Sequence, residues 1–173
     1  MKMENKELLE KVSKLGFPLF EVEEKFDVNQ TLAEVVRSRQ ARLFEGFAVL
    51  LVNASQDDGF NLERVQNALN SENDKNLLRE LLFLSLGLYK YFNYYFSWAN
   101  NFYKMLPEEE RNKVREFRNY FVHNMDFNVM GYTFSSERLK EVFTSYLKNE
   151  VEKVKKQTAK QEDFSLEIHF KVQ

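Results

Sequence analysis

Through most of this chain the hydrophobic positions recur at three- and four-residue steps, the period of one helix face. Between residues 4 and about 15, Leu8, Leu9, Val12 and Leu15 fall together, predicting a short amphipathic helix that Gly16 and Pro18 end. Residues 19–28 alternate instead, Phe20 and Val22 against Glu21 and Glu23, over too short a run to separate a strand from an extended connector. Thr31 followed by Glu34 has capping-box spacing, and Leu32, Val35, Val36, Leu43, Phe47, Leu50, Leu51 and Ala54 continue it as a core helix. Asp57-Asp58-Gly59 is turn chemistry, and residues 62–69 suit a short helix. A long helix is then predicted from about 74 to 105, leucine-rich in its first half, unless Gly87 bends it.

Pro107 followed by Glu108, Glu109 and Glu110 predicts the next helix start, since carboxylates suit the positive end of the helix dipole. Residues 126–134 lose the helical period around Gly131 and read as a loop; Ser135 or Ser136 then caps a helix to about Thr158. The last segment, 164–172, alternates strictly and predicts a strand. A lone strand needs a partner, either residues 19–28 or another chain. The expected architecture is mostly α: an antiparallel helical bundle over 1–163, with 164–173 a C-terminal strand packed on it or on a partner.

Five glycines and two prolines in 173 residues fit long helices, and 43% hydrophobic with 30% charged residues fits a soluble globular protein. There is no cysteine, and the two histidines stand far apart, so neither a metal nor another cofactor is expected. The charged N-terminus lacks an apolar signal core, and the longest charge-free stretches, 81–89 and 91–103, are shorter than the roughly 20 residues that span a bilayer. A cytoplasmic location without a membrane partner is expected. A net charge of −2 excludes a generally basic nucleic-acid binder, so contact with RNA requires local patches.

Three such patches present themselves. Arg37, Arg39 and Arg42 suit phosphates or an ion-paired face; Lys153, Lys155, Lys156 and Lys160 suit RNA or simply a helix C-terminus. Arg111, Lys113, Arg115 and Arg118 oppose Glu116 alone beyond the acidic turn. Residues 89–103 hold nine aromatics in fifteen positions, more than one helix face accommodates, so some must meet neighbouring helices, a second copy or stacked bases. A second copy is the expected use for the outward tyrosines.

The most chemical stretch runs from Arg115 to Met125. Asn119 and His123 share a helix face, Arg115 lies on it one turn earlier, and Arg118 sits one residue off. An imidazole moves protons near neutral pH, a guanidinium grips phosphate with two prongs, and an asparagine orients either. A histidine at the end of an aromatic helix equally suits packing or capping. His169, on the polar parity with Glu167 and Lys171, reads as a surface residue.

Arg118-Asn119-Tyr120-Phe121-Val122-His123 resembles the signature of HEPN domains, an arginine, a polar residue, a few further positions and a histidine. The resemblance covers about ten residues. It implies an all-α homodimer, metal-independent cleavage of RNA by 2′-hydroxyl attack, and Arg118, Asn119 and His123 as the catalytic set. Arg111, Lys113 and Arg115 would then hold RNA. Some members are toxin-type enzymes and others are non-catalytic, so the resemblance also admits an antitoxin or a nucleotidyltransferase-fold partner. Residues five apart on a helix point about 140° away from each other, so Arg118 and His123 of one chain do not form a compact pair. A dimer would bring two copies into one cleft.

Overall fold

The computed structural model describes residues 2–15 and 27–171. Its elements are α1 (Lys2–Lys14), α2 (Val28–Ser38), α3 (Ala41–Glu45), α4 (Phe47–Ser55), α5 (Leu62–Asn67), α6 (Glu72–Tyr91), α7 (Ser97–Met105), α8 (Glu108–Val122), β1 (Phe127–Val129), β2 (Tyr132–Phe134) and α9 (Ser136–Lys171). The mostly α class stands. Helices α8, α4 and α2 pack directly on α6, whose residues from Leu81 to Tyr89 are all buried. A helix apolar on every side belongs inside a bundle, which accounts for the first charge-free stretch. No helix among the described residues is long and apolar enough to cross a membrane.

The expected helix over 31–54 is divided. Its start is Asp27, whose carboxylate accepts from the N–H groups of Asn29 at 2.8 Å and Gln30 at 3.3 Å. Thr31 instead donates its hydroxyl to the Asp27 carbonyl at 2.9 Å, so the Thr31–Glu34 pair lies inside the helix. Arg39, in the left-handed region at φ 55°, ends α2, and α3 and α4 follow as separate pieces. Arg37 donates to the Ala68 carbonyl at 2.5 Å and Arg39 pairs with Asp74, so both arginines tie the bundle together.

The expected helix over 74–105 also breaks, but not at Gly87. Asn93 takes φ 51°; its N–H bonds to the Lys90 carbonyl at 3.2 Å, and that of Tyr94 reaches Tyr89 at 2.9 Å. This is a Schellman ending, with asparagine tolerating the left-handed turn. The aromatic run therefore folds back on itself. Tyr89, Tyr94, Phe96 and Phe143 form one ring cluster, and of the nine aromatics from 89 to 103 Tyr95 alone is exposed. The outward tyrosines expected to meet a second copy are mostly spent inside this chain.

Gly87 has another use: a Cβ there would stand 2.8 Å from Phe117 Cβ and 3.0 Å from both the Arg118 nitrogen and the Val114 oxygen. The missing side chain lets α6 and α8 meet at backbone distance. Arg79 pairs with Glu110, Lys113 with Glu80 at 2.7 Å, and Tyr91 lies 6.2 Å from the Phe121 ring. These pairs advance together along both helices, so α6 and α8 run parallel and α7 carries the chain back between them.

Residues 126–134 form a hairpin rather than an irregular loop. Phe127 pairs with Phe134 and Val129 with Tyr132, leaving Met130 (φ 49°) and Gly131 (φ 89°) as a two-residue turn of type I′. Phe127 rests on Phe117, Tyr120 and Phe121, so the hairpin covers one flank of α8. Ser135 caps α9 by accepting the Arg138 N–H at 3.3 Å, while Ser136 is buried against the Tyr120 and Met125 carbonyls.

The predicted strand over 164–172 is not formed: α9 continues helically to Lys171. No described strand lies beside it, and a helix satisfies its backbone groups internally where an unpaired strand does not. Of its proposed pairing segment, residues 19–26 lie outside the described residues, while Asp27 and Val28 cap and begin α2.

Candidate functional site

The motif lies at the end of α8. Val114, Phe117 and Phe121 face the core, which turns Arg115, Arg118 and Asn119 outward on one side. His123 is the C-cap residue, its N–H bonded to the Asn119 carbonyl at 3.0 Å. Asn124 follows at φ 52°, bonding Phe121, and the Met125 N–H reaches the Tyr120 carbonyl at 2.9 Å. This repeats the ending of α6. Lys140 donates to the Phe121 carbonyl at 3.1 Å, placing a cation at the negative end of the helix.

The side chains of Arg118, Asn119 and His123 are exposed, and none makes a hydrogen bond or ion pair among the described residues. Although α8 ends between Arg118 and His123, the cap residue (φ −92°, ψ 5°) stays close to the helical path. Arg118 lies against the α6 seam, and His123 points about 140° further round. Within one chain the structure does not bring the two together.

The other expected RNA contacts are largely engaged. Arg111 donates to the Leu106 carbonyl at 2.8 Å, and Lys113 to Glu80 at 2.7 Å. Arg115 donates to Glu108 at 2.8 Å and also reaches Asn112. The hydrogen bond to Arg115 holds the Glu108 carboxyl below the usual range.

Two residues that the sequence reading passed over join this flank. Lys90, at the end of α6, lies with its ammonium 3.8 Å from the centre of the Tyr103 ring. Burial, then the nearby Arg115 and Arg118, lower its pKa from the ordinary lysine value. Arg115 also lies beside the Tyr103 phenol. The signal was present: Lys90 is the sole charged residue from Leu81 to Tyr103.

An open groove of about 900 Å³ runs along α9, bordered by Arg42, Asn124, Arg138, Lys140, Glu141 and Lys148. Its charges are mixed, and Arg138 is paired with Glu45 at 3.3 Å. Among the described residues no group of three or more histidine, cysteine or carboxylate side chains is placed to hold a metal ion. No family model, curated protein or solved structure matches this chain.

Proposed function

We propose that this protein is a HEPN-like, metal-independent endoribonuclease whose active site needs two copies of the chain. The observation that carries the reading is that Arg118, Asn119 and His123 all stand in solvent without partners at one helix end. Packed or capping side chains would be covered or bonded. In such cleavage the 2′-hydroxyl attacks the adjacent phosphorus, a base takes its proton, and the leaving 5′-oxygen gains one. His123 handles a proton, Arg118 steadies the charge growing on the phosphoryl oxygens, and Asn119 orients one of them. Because the arginine and histidine diverge, His123 of one copy serves with Arg118 of another. Val122 and Met125, each about half exposed at 49%, flank His123 in the chain and supply apolar surface for that contact.

Purified protein in EDTA is expected to cut single-stranded RNA to cyclic-phosphate ends and to spare DNA, with Arg118→Ala and His123→Ala each inactive. Mixing the two inactive variants gives the sharper test. Half of a random mixture is mixed dimer, and each mixed dimer regains one of its two sites, so about a quarter of the activity should return. No recovery after verified subunit exchange would exclude the shared site.

A second reading has its own support: Arg118 shares the α6–α8 seam with Lys90 and lies one turn from Arg115, while His123 points away from it. That arrangement suits a subunit that holds RNA phosphates without cutting them, alone or beside a nucleotidyltransferase-fold or antitoxin partner. RNA binding without cleavage under any of these conditions favours it.

A further inference from the structure

The seam between α6 and α8 carries positive charge that the fold leaves uncompensated. Lys90 sits over Tyr103, and Arg115 and Arg118 project one turn apart from the facing helix. Glu108 answers Arg115 at 2.8 Å. Lys90 and Arg118 have no carboxylate partner among the described residues, and Lys90 stands one turn beyond Gly87, whose Cβ position lies 3.0 Å from the Arg118 nitrogen, so the parallel helices bring both cations to the same stretch of the seam. Like charges held together cost stability, and here the parallel helices and the backbone contact at Gly87 fix them in place. A ligand bringing two negative charges would reverse that cost.

We propose that Lys90, Arg118 and Arg115 form a binding site for a phosphate monoester, with Tyr103 as its floor. A terminal phosphate carries close to two charges at neutral pH and three acceptor oxygens, whereas a chain-internal diester carries one charge and two free oxygens. Arg118 spans two oxygens with its planar fork, and Lys90 meets the third. Counting Glu108 against Arg115, the remaining charge of the cluster equals that of the monoester. The phosphate belongs either to the 5′ end of an RNA strand or to a free nucleotide. Neither source rests on the ribonuclease reading: a terminal phosphate on Arg118 occupies the guanidinium that cleavage would use, so binding of the monoester and cleavage exclude each other at one copy of Arg118.

The test is fluorescence anisotropy of the full chain with a short single-stranded 2′-O-methyl RNA, which cannot be cut by 2′-attack, labelled at its 3′ end. One strand carries a 5′-phosphate and its twin a 5′-hydroxyl. The phosphorylated strand is expected to bind about tenfold or more tightly. Lys90→Met, which keeps the stem over Tyr103, and Arg118→Gln should each erase the difference while circular dichroism stays unchanged. Arg64→Gln removes equal charge from the exposed face of α5 and should preserve it. Competition by adenosine monophosphate, but not adenosine, at the strength of the phosphorylated strand identifies a free nucleotide as the source. Equal affinity of the two strands overturns the site, as does equal loss in Arg64→Gln. Cutting of an unmethylated 5′-hydroxyl strand is read separately: its absence beside an intact phosphate preference removes the nuclease reading alone, and its presence beside equal affinities removes the phosphate site alone.

Discussion

Replacing Gly87 with alanine tests the seam on which the candidate site is built. In an exposed helix interior this change stabilises by about 0.5–1 kcal/mol, because alanine orders with less entropy loss. At this position the new methyl meets the Arg118 nitrogen and the Val114 oxygen at 3.0 Å and Phe117 Cβ at 2.8 Å. None of these atoms lies at the end of a flexible side chain, so the helices must separate by a few tenths of an ångström. Overpacking of that kind costs about 1–3 kcal/mol, and the rigid neighbours place this case in the upper half. The net effect is a loss of about 1–2.5 kcal/mol, or roughly 2–10 °C in Tm for a domain of this size.

Urea and thermal unfolding measure it directly, and Lys90 offers a local reading. Parting α6 from α8 moves Lys90 away from Arg118, so any preference for 5′-phosphate should fall together with stability. A Gly87→Ala protein that is more stable by the amount helix propensity alone provides would refute the close approach and the register derived from it.

Two further outcomes are expected. Tyr89 is buried, its phenol pushed well above the ordinary value by burial, and its hydroxyl donates to the Ala48 carbonyl at 2.5 Å. The folded state therefore keeps a proton that the unfolded state releases above about pH 10, so stability falls as pH rises past that point. Tyr89→Phe should lose about 1 kcal/mol at neutral pH and show a shallower alkaline decline in urea midpoint; parallel pH profiles would refute the assignment. At the hairpin tip, Met130 takes φ 49° in the first position of a type I′ turn, where asparagine is favoured. Met130→Asn should stabilise by about 0.5–1 kcal/mol in thermal unfolding, and a loss would place the turn elsewhere.

The helices were legible wherever one face repeated over several turns: Leu8 and Val12, or Leu32, Val35 and Val36, share a face in the sequence and lie inward in the fold. Boundaries failed where the deciding contact is local chemistry that periodicity does not register. Asp27 outcompetes Thr31 as a cap because its carboxylate reaches two N–H groups. Asn93 stops α6 because Tyr94 folds onto Tyr89, a contact invisible until the ring cluster exists. The strict alternation of 164–172 was a true period-two pattern, yet alternation supplies no partner strand, and without one the helix retains its own hydrogen bonds. At the site, the sequence put Asn119 and His123 on one helix face, but it told neither that Arg118, Asn119 and His123 stand in solvent nor of the approach of Lys90. That approach depends on α6 and α8 running parallel, a pairing set by tertiary contacts across thirty residues of sequence.

That parallel pairing also limits how the motif can act. Both helices end at the same side of the bundle, each with an asparagine in the left-handed turn, so their last side chains are held by bonded caps rather than loose ends. Arg118 is kept at the seam with Lys90, while His123, about 7.5 Å further along the axis and about 140° around it, is kept away. A rotamer change carries neither side chain across the helix to the other. Under the proposed reading, then, the spacing of the motif is itself the reason for two copies: a twofold axis near the end of α8 sets each His123 against the other chain's Arg118 and does so twice. If the protein acts as a single copy, the same caps leave Arg118, Lys90 and Arg115 able to hold a phosphate without a proton carrier beside it, which is binding and not cleavage.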